Sequence, residues 1–330
     1  MKKDGFQTLQ RREFIKYSAL GVASLPMFGL TTCTRIKKTK IALVKTEERK
    51  EGVHQVLKLL NFASVDKKKV LIKPNFNTAD PTPGSSHNET LKQLIHELRE
   101  RGAAEITVGE RSGPPPTNQV LEDKGIFQLS KELNFKIINF EELPEEDWVL
   151  FNPEGNHWQN GFYLARPAVE SEYMVSTYCL KTHQYGGVFT LSLKLAVGLT
   201  PKKLMRELHS SPDMRKMIAE LNFCYEPQLL VLDGIEAFVD GGPMTGTRKK
   251  ADVFLAGTDR VAMDAAAVAI LKELGSNEAI MGRKIFEQEQ IQRAVELGLG
   301  IDKPEAIEFI TPDKASREYT EKIQSILLQG

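Results

Sequence analysis

The chain has 330 residues, 41% hydrophobic and 27% charged, a globular composition long enough to bury a large core, so disorder is not expected. Lys plus Arg and Asp plus Glu each number 44, so no net field draws the protein toward nucleic acid or anionic lipid. Its three cysteines, Cys33, Cys179 and Cys224, lack C-x-x-C spacing and support neither a zinc ribbon nor a cysteine-ligated iron–sulfur cluster; a Cys179–Cys224 disulfide stays open.

Residues 1–33 precede the fold. Arg11 and Arg12 stand before Phe14 and Lys16, and an uncharged stretch follows from Tyr17 to Thr32. That stretch is short beside the ~20 apolar residues of a spanning helix and matches the basic start and short apolar core of an export signal. Arg11-Arg12-Glu13-Phe14-Ile15-Lys16 resembles the twin-arginine signal, which implies export of an already folded protein by the twin-arginine machinery. Cys33 after Leu30-Thr31-Thr32 resembles a lipoprotein cleavage box with an imperfect Thr32, and lipid there would be the sole membrane anchor. The alternative is ordinary cleavage nearby and a soluble periplasmic protein.

From residue 34 to 330 the pattern predicts one α/β domain. Strands are expected at "KIALV" (40–44), "KVLIKPN" (69–75), "EITVGE" (105–110), "FKIINF" (135–140), "YMVSTYCL", "LLVLDG" (229–234), "VFLAGT" (253–258) and "AIEFIT" (306–311). Helical periods lie between them: Leu91, Leu94, Ile95 and Leu98 share a face before a stop at Gly102, and "RVAMDAAAVAILKELG" ends at Gly275. The alternation predicts a mainly parallel sheet with helices on both faces. Residues 141–170 break it as a hairpin insertion, "WVLFN" and "FYLARPA" around Pro153, Gly155 and Asn156, whose aromatic residues are expected to pack rather than to hold a ligand. No period of 20 to 50 residues repeats, so a solenoid is not expected.

Ligands of parallel α/β sheets bind beyond the carboxyl ends of the strands, where helix amino termini converge. Five exits carry ionisable groups: Lys73 with Asn75, Glu110 with Arg111, Lys181 with His183, then Asp233, then Asp259. Each alone is equally a solvated or capping group: Asp259 suits the cap of the helix from Arg260, and Ser86 or Asn88 that of the helix after Asn88. Together they predict a shared pocket. Residues 189–198 read as a short helix capped by Thr190, its free N–H groups and Lys194 offered to an anion, and the loop 240–250 with Gly241 and Gly242 as an anion nest. His183, His209 and His87 are the candidates for metal binding or proton transfer, with Asp233 or Glu110 orienting a histidine base.

"LIKPNF", "GAAEITVGE", "LKTHQYGGVFTLSLKLAVG", "LLVLDGIEAFVDGGPMTG" and "AGTDRVAMDAAAV", in this order over most of residues 40–275, resemble the domain-of-unknown-function family 362. The resemblance implies redox or metal chemistry, since some members are exported and some are fused to ferredoxin modules, whose cysteines this chain lacks. It also implies Asn after the lysine at Lys194, where this chain has Leu195. The expected protein is thus exported, with a pocket for a metal or small anionic ligand. Its predicted catalytic residues are His183, Lys181 and Glu110, and Lys73, Asn75, Thr190, Lys194, Gly241 and Gly242 would bind a cofactor or anion. His183, His209, Asp233, Asp259 and Asp264 would hold a metal. A redox-type enzyme leads, and a metal-assisted hydrolase and a non-catalytic periplasmic binding protein are the alternatives.

Overall fold

Residues 38–330 are described by a computed structural model. Arg11, Arg12 and Cys33, with the export and lipid signals expected there, lie outside the described residues. The strands are β1 (Thr39–Lys45), β2 (Lys69–Lys73), β3 (Glu105–Glu110), β4 (Lys136–Asn139), β5 (Trp148–Phe151), β6 (Phe162–Ala165), β7 (Tyr173–His183), β8 (Val188–Thr190), β9 (Leu229–Gly241), β10 (Gly246–Gly257) and β11 (Ile307–Ile310). Among the described residues nine of them form one sheet in the order β11-β1-β10-β9-β7-β2-β3-β4, with β8 paired to the end of β7. β5 and β6 form the expected antiparallel hairpin apart from it. All pairs in the main sheet are parallel except those made by β10 and β8. The fold is therefore the mainly parallel α/β sheet that the alternation of elements predicts.

Both faces of the sheet are covered. Successive residues of β1 point to opposite sides: Ile41 and Leu43 pack with Val261, Ile323 and Leu327 of helices Arg260–Glu273 and Lys314–Gln329, while Ala42 and Val44 pack with Val53, Leu91 and Leu94 of helices Arg49–Leu59 and Asn88–Glu100. Leu91, Leu94, Ile95 and Leu98 are fully buried as their spacing predicts, each worth about 1.5–3 kcal/mol of apolar transfer. That helix is capped by His87, whose Nδ1 accepts the Glu89 N–H at 3.1 Å, rather than by Ser86 or Asn88. Ser86 is engaged elsewhere, its hydroxyl bonded to Asn75 N–H and the Thr177 carbonyl. Trp158 and Phe162 of the hairpin region are buried against Met174, Leu199 and Met217, so these aromatics pack as expected.

Three expectations are corrected. Residues 189–198 are not one helix: β8 ends at Thr190 and a 3-10 helix runs from Leu193 to Leu199. The glycine loop is the tight turn of a long β9–β10 hairpin, with the Gly242 N–H bonded to the Thr245 carbonyl at 2.7 Å and so withdrawn from any anion nest. Gly242 has φ +72°, and a Cβ there would strike the Thr182 carbonyl, so the position accepts only glycine without strain. The hairpin also makes β10 antiparallel, which places its exit at Asp259 on the opposite edge of the sheet from the exits of β2, β3 and β7. Finally, Cys179 and Cys224 are free thiols, and burial pushes each up to about 12.

Candidate functional site

Three parallel strand ends and one short helix enclose a cavity of about 50 Å³. Lys73 and Asn75 come from the exit of β2, Glu110 and Arg111 from that of β3, His183 from the end of β7 and Thr190 from β8. Lys194, Leu195, Val197 and Gly198 of the 3-10 helix close one side, and Pro243 of the β9–β10 turn and Asn77 close the rest. By the space one water needs, such a volume takes about three or four waters or one small oxyanion.

The 3-10 helix is fixed at both ends by groups distant in sequence. Asp264 accepts from Ser192 N–H at 2.8 Å, Ser192 Oγ at 2.6 Å and Leu193 N–H at 3.1 Å, so a carboxylate of the protein already fills the amino-terminal anion position expected for a ligand. Burial raises Asp264 to about 7, opposed by those same hydrogen bonds. At the other end the Arg111 guanidinium donates to the Val197 carbonyl and to the Thr200 carbonyl at 2.8 Å, and to the carbonyl of its own neighbour Ser112 at 3.0 Å, so it ties β3 to the end of the helix. Burial lowers Arg111 to about 10, which leaves it charged at neutral pH.

The charges of the cavity do not balance. Lys73 and Glu110 form a buried pair at 2.5 Å, and the same carboxylate accepts the Phe76 N–H at 2.7 Å and the Arg111 N–H at 2.9 Å. Glu110 is thus fully engaged, and Lys73 has the Pro74 carbonyl at 2.7 Å as its second acceptor. Lys194 has none: it is 8% exposed and makes no hydrogen bond or ion pair to any described residue. Thr190 beside it, 5% exposed, has a buried hydroxyl without a partner among the described residues. Burial first, then the charges of Arg111 and Lys181, lowers Lys194 to about 7. The buried, unpaired Thr190 hydroxyl costs free energy that a ligand can recover, and the Lys194 ammonium lines the cavity with no acceptor among the described residues.

His183 stands in the same wall. Its Nδ1 accepts the Gly187 N–H at 3.3 Å, so the neutral ring carries its proton on Nε2 and is a donor there. Burial, then Lys194, His209 and Lys181, pushes His183 down to about 2 and keeps it neutral. Neither Glu110 nor Asp233 orients it. Lys181 lies behind the cavity rather than in its wall, entirely buried, donating to Asn75 Oδ1 at 2.6 Å and the Gly84 carbonyl at 2.5 Å. Burial lowers it to about 8. Thr182, between them, donates to the Phe238 and Gly241 carbonyls and ties β7 to the glycine turn.

The five expected metal ligands do not meet. Asp233 sits at a bulge in β9, where its carboxylate accepts from Thr90 Oγ1 at 2.6 Å and Arg49 Nε at 3.0 Å. Asp259 caps helix Arg260–Glu273 through the Ala262 N–H at 2.9 Å, and Asp264 serves the 3-10 helix. His209 is exposed on the short helix Met205–Ser210, its pKa lowered by neighbouring atoms that displace water and then by Lys194 and Arg111. Among the described residues no three His, Cys, Asp or Glu side chains gather as a metal set. The cavity's donors, lysine, arginine, threonine and a histidine N–H, suit an anion.

Gly198 and Asn77 are not among the expected site residues, and Pro243 belongs to the Gly-Gly-Pro turn of the quoted segments. A Cβ on Gly198 would come within 2.8 Å of Lys73 Nζ and 3.1 Å of Glu110 Oε1, so this glycine makes room for the buried pair. Its place in the quoted "LKLAVG" segment was the one available signal. Leu195, where the family resemblance implies Asn, lines the cavity and makes that part of the wall apolar.

Among solved structures, the lactate racemase apoprotein from Thermoanaerobacterium thermosaccharolyticum is similar at a TM-score of 0.42 and 13% identity, over 86% of this chain and 85% of that one. A thylakoid-associated protein of Synechocystis sp. is 24% identical over 212 residues, which are 62% of this chain and 63% of that protein. This chain therefore matches less than two thirds of that relative's length. The family described as "Domain of unknown function (DUF362)" matches residues 70–269, from β2 into helix Arg260–Glu273 and so across the described site. With more than half of its length matched, the chain belongs to the domain-of-unknown-function family 362.

Proposed function

We propose that this protein binds a small anion, or the anionic end of a larger molecule, in the cavity at the carboxyl ends of β2, β3 and β7. The observation that carries the reading is the unpaired Lys194 ammonium beside the unpaired Thr190 hydroxyl, in a wall with Lys73, Arg111 and one carboxylate already committed. A carboxylate or phosphate oxygen would receive Lys194 Nζ, Thr190 Oγ1 and the His183 Nε2–H, all charge-assisted and shielded from water. Of the expected functions, ligand capture is better supported than a metal-assisted hydrolase, because the expected metal ligands lie apart and His183 accepts a backbone N–H rather than pairing with a carboxylate.

The ligand supplies the charge that Lys194 lacks, so the lysine must be protonated in the complex. Isothermal titration with phosphate and with oxalate should therefore show affinity falling as pH rises through about 7. Lys194→Met should weaken binding roughly tenfold to a hundredfold, the about 1.5–3 kcal/mol of a hydrogen bond to a charged group. Affinity independent of both pH and Lys194 would refute the reading.

Export belongs to the same proposal. Arg11-Arg12 and Cys33 supply the signal and the anchor, and the thylakoid association of the Synechocystis relative supports a membrane-surface location. No helix among the described residues is long and apolar enough to cross a membrane.

A further inference from the structure

A lysine in a cationic wall is unusual in lacking any acceptor, because each of its neighbours has one. Lys73 has Glu110 and a carbonyl, Lys181 has Asn75 and a carbonyl, and Arg111 has three carbonyls. Lys194 alone of these four presents its amine to the cavity without a partner among the described residues. An amine that no protein acceptor engages can meet a ligand's charge when protonated and, when neutral, keeps the lone pair that a nucleophile requires. Thr190 Oγ1 is unpartnered in the same wall, and the His183 N–H is a second neutral donor.

We infer that Lys194 is a nucleophilic amine that condenses with the carbonyl carbon of a small 2-oxo acid held in this cavity. The inference rests on the anion-binding reading and specifies its ligand: the carboxylate meets the positive wall while the adjacent carbonyl meets Nζ. The Nζ lone pair forms the new C–N bond as the carbonyl π pair moves to oxygen, and one proton passes from nitrogen to that oxygen to give a carbinolamine. The C–O bond then breaks with uptake of one proton from solvent, water leaves, and a cationic C=N linkage stays on Lys194. No oxidant or reductant takes part. Thr190 Oγ1 and the His183 Nε2–H hold the carboxylate as in the anion complex, and that carboxylate offsets the iminium charge. The lowering of Lys194 to about 7 makes a substantial fraction of the free amine available at neutral pH.

The test uses the exported chain, pyruvate or glyoxylate as probe, and cyanoborohydride to reduce any C=N bond to a stable amine, followed by peptide mass mapping. The expected result is one reduced adduct on Lys194, blocked by excess oxalate, which has the charge but no ketone or aldehyde carbonyl. Lys194→Arg should form no adduct, and calorimetry of the unaltered chain with oxalate reads anion binding separately. Adducts spread evenly over surface lysines, or none at Lys194, would overturn the inference. Oxalate binding without an adduct would defeat the covalent step alone, and absence of oxalate binding would defeat the anion reading with it.

Discussion

Lys181 and His183 leave the same strand, yet they do different work. Lys181 is a strut: its ammonium holds the Asn75 side chain and the Gly84 carbonyl, and so fixes the loop after β2 over the strand end. Lys181→Ala should therefore act on stability before ligand affinity, because two buried acceptors lose their donor at about 1–3 kcal/mol each. Urea denaturation should show that cost, and wild-type stability would make Lys181 a ligand-holding group instead. Lys73, Asn75, Glu110, His183, Thr190 and Lys194, which the sequence groups at strand exits and in the segment after β7, line one cavity, since strand ends converge by geometry. The sequence does not tell which charges are already spent. Glu110 is consumed by Lys73 and two backbone N–H groups, and Asp264 by Ser192 and Leu193, pairings that only the folded chain reveals.

At the scale of elements, strands and long helices follow from periodicity because their burial is local and repeated, as in β1 and Asn88–Glu100. The segment 189–198 does not, because its form is decided by Asp264 at one end and Arg111 at the other. Phe189, Leu191, Leu193 and Leu195 in fact alternate as in a strand, and tertiary partners turn the second half into a 3-10 helix. The antiparallel course of β10 was legible in principle: a turn as short as Gly242–Thr245 joins only antiparallel strands. Read as an anion-binding loop instead, it leaves Asp259 at the wrong end of the sheet. The helix also owes its closeness to the Lys73–Glu110 pair to Gly198. Gly198→Ala should displace that pair and cost about 1–3 kcal/mol by overpacking, with weakened anion binding. Unchanged stability and affinity by calorimetry would show that the wall yields more easily than its contacts imply.

For the whole molecule, the sheet brings a cationic cavity to one edge of a chain whose net charge is zero, so attraction for an anion is local rather than global. Replacing Arg11 and Arg12 with lysines should hold the protein in the cytoplasm, and Cys33→Ala should move it from the membrane to the soluble fraction; cell fractionation reads both, and unchanged distributions would remove the signal and the anchor. The central claim is that Lys194 and Thr190 await an anion. Crystals soaked in selenate test it directly through anomalous diffraction. The account predicts a selenium peak inside the cavity with an oxygen within about 3.2 Å of both Lys194 Nζ and Thr190 Oγ1. Selenate found only on the outer surface, with the cavity filled by water, would contradict it.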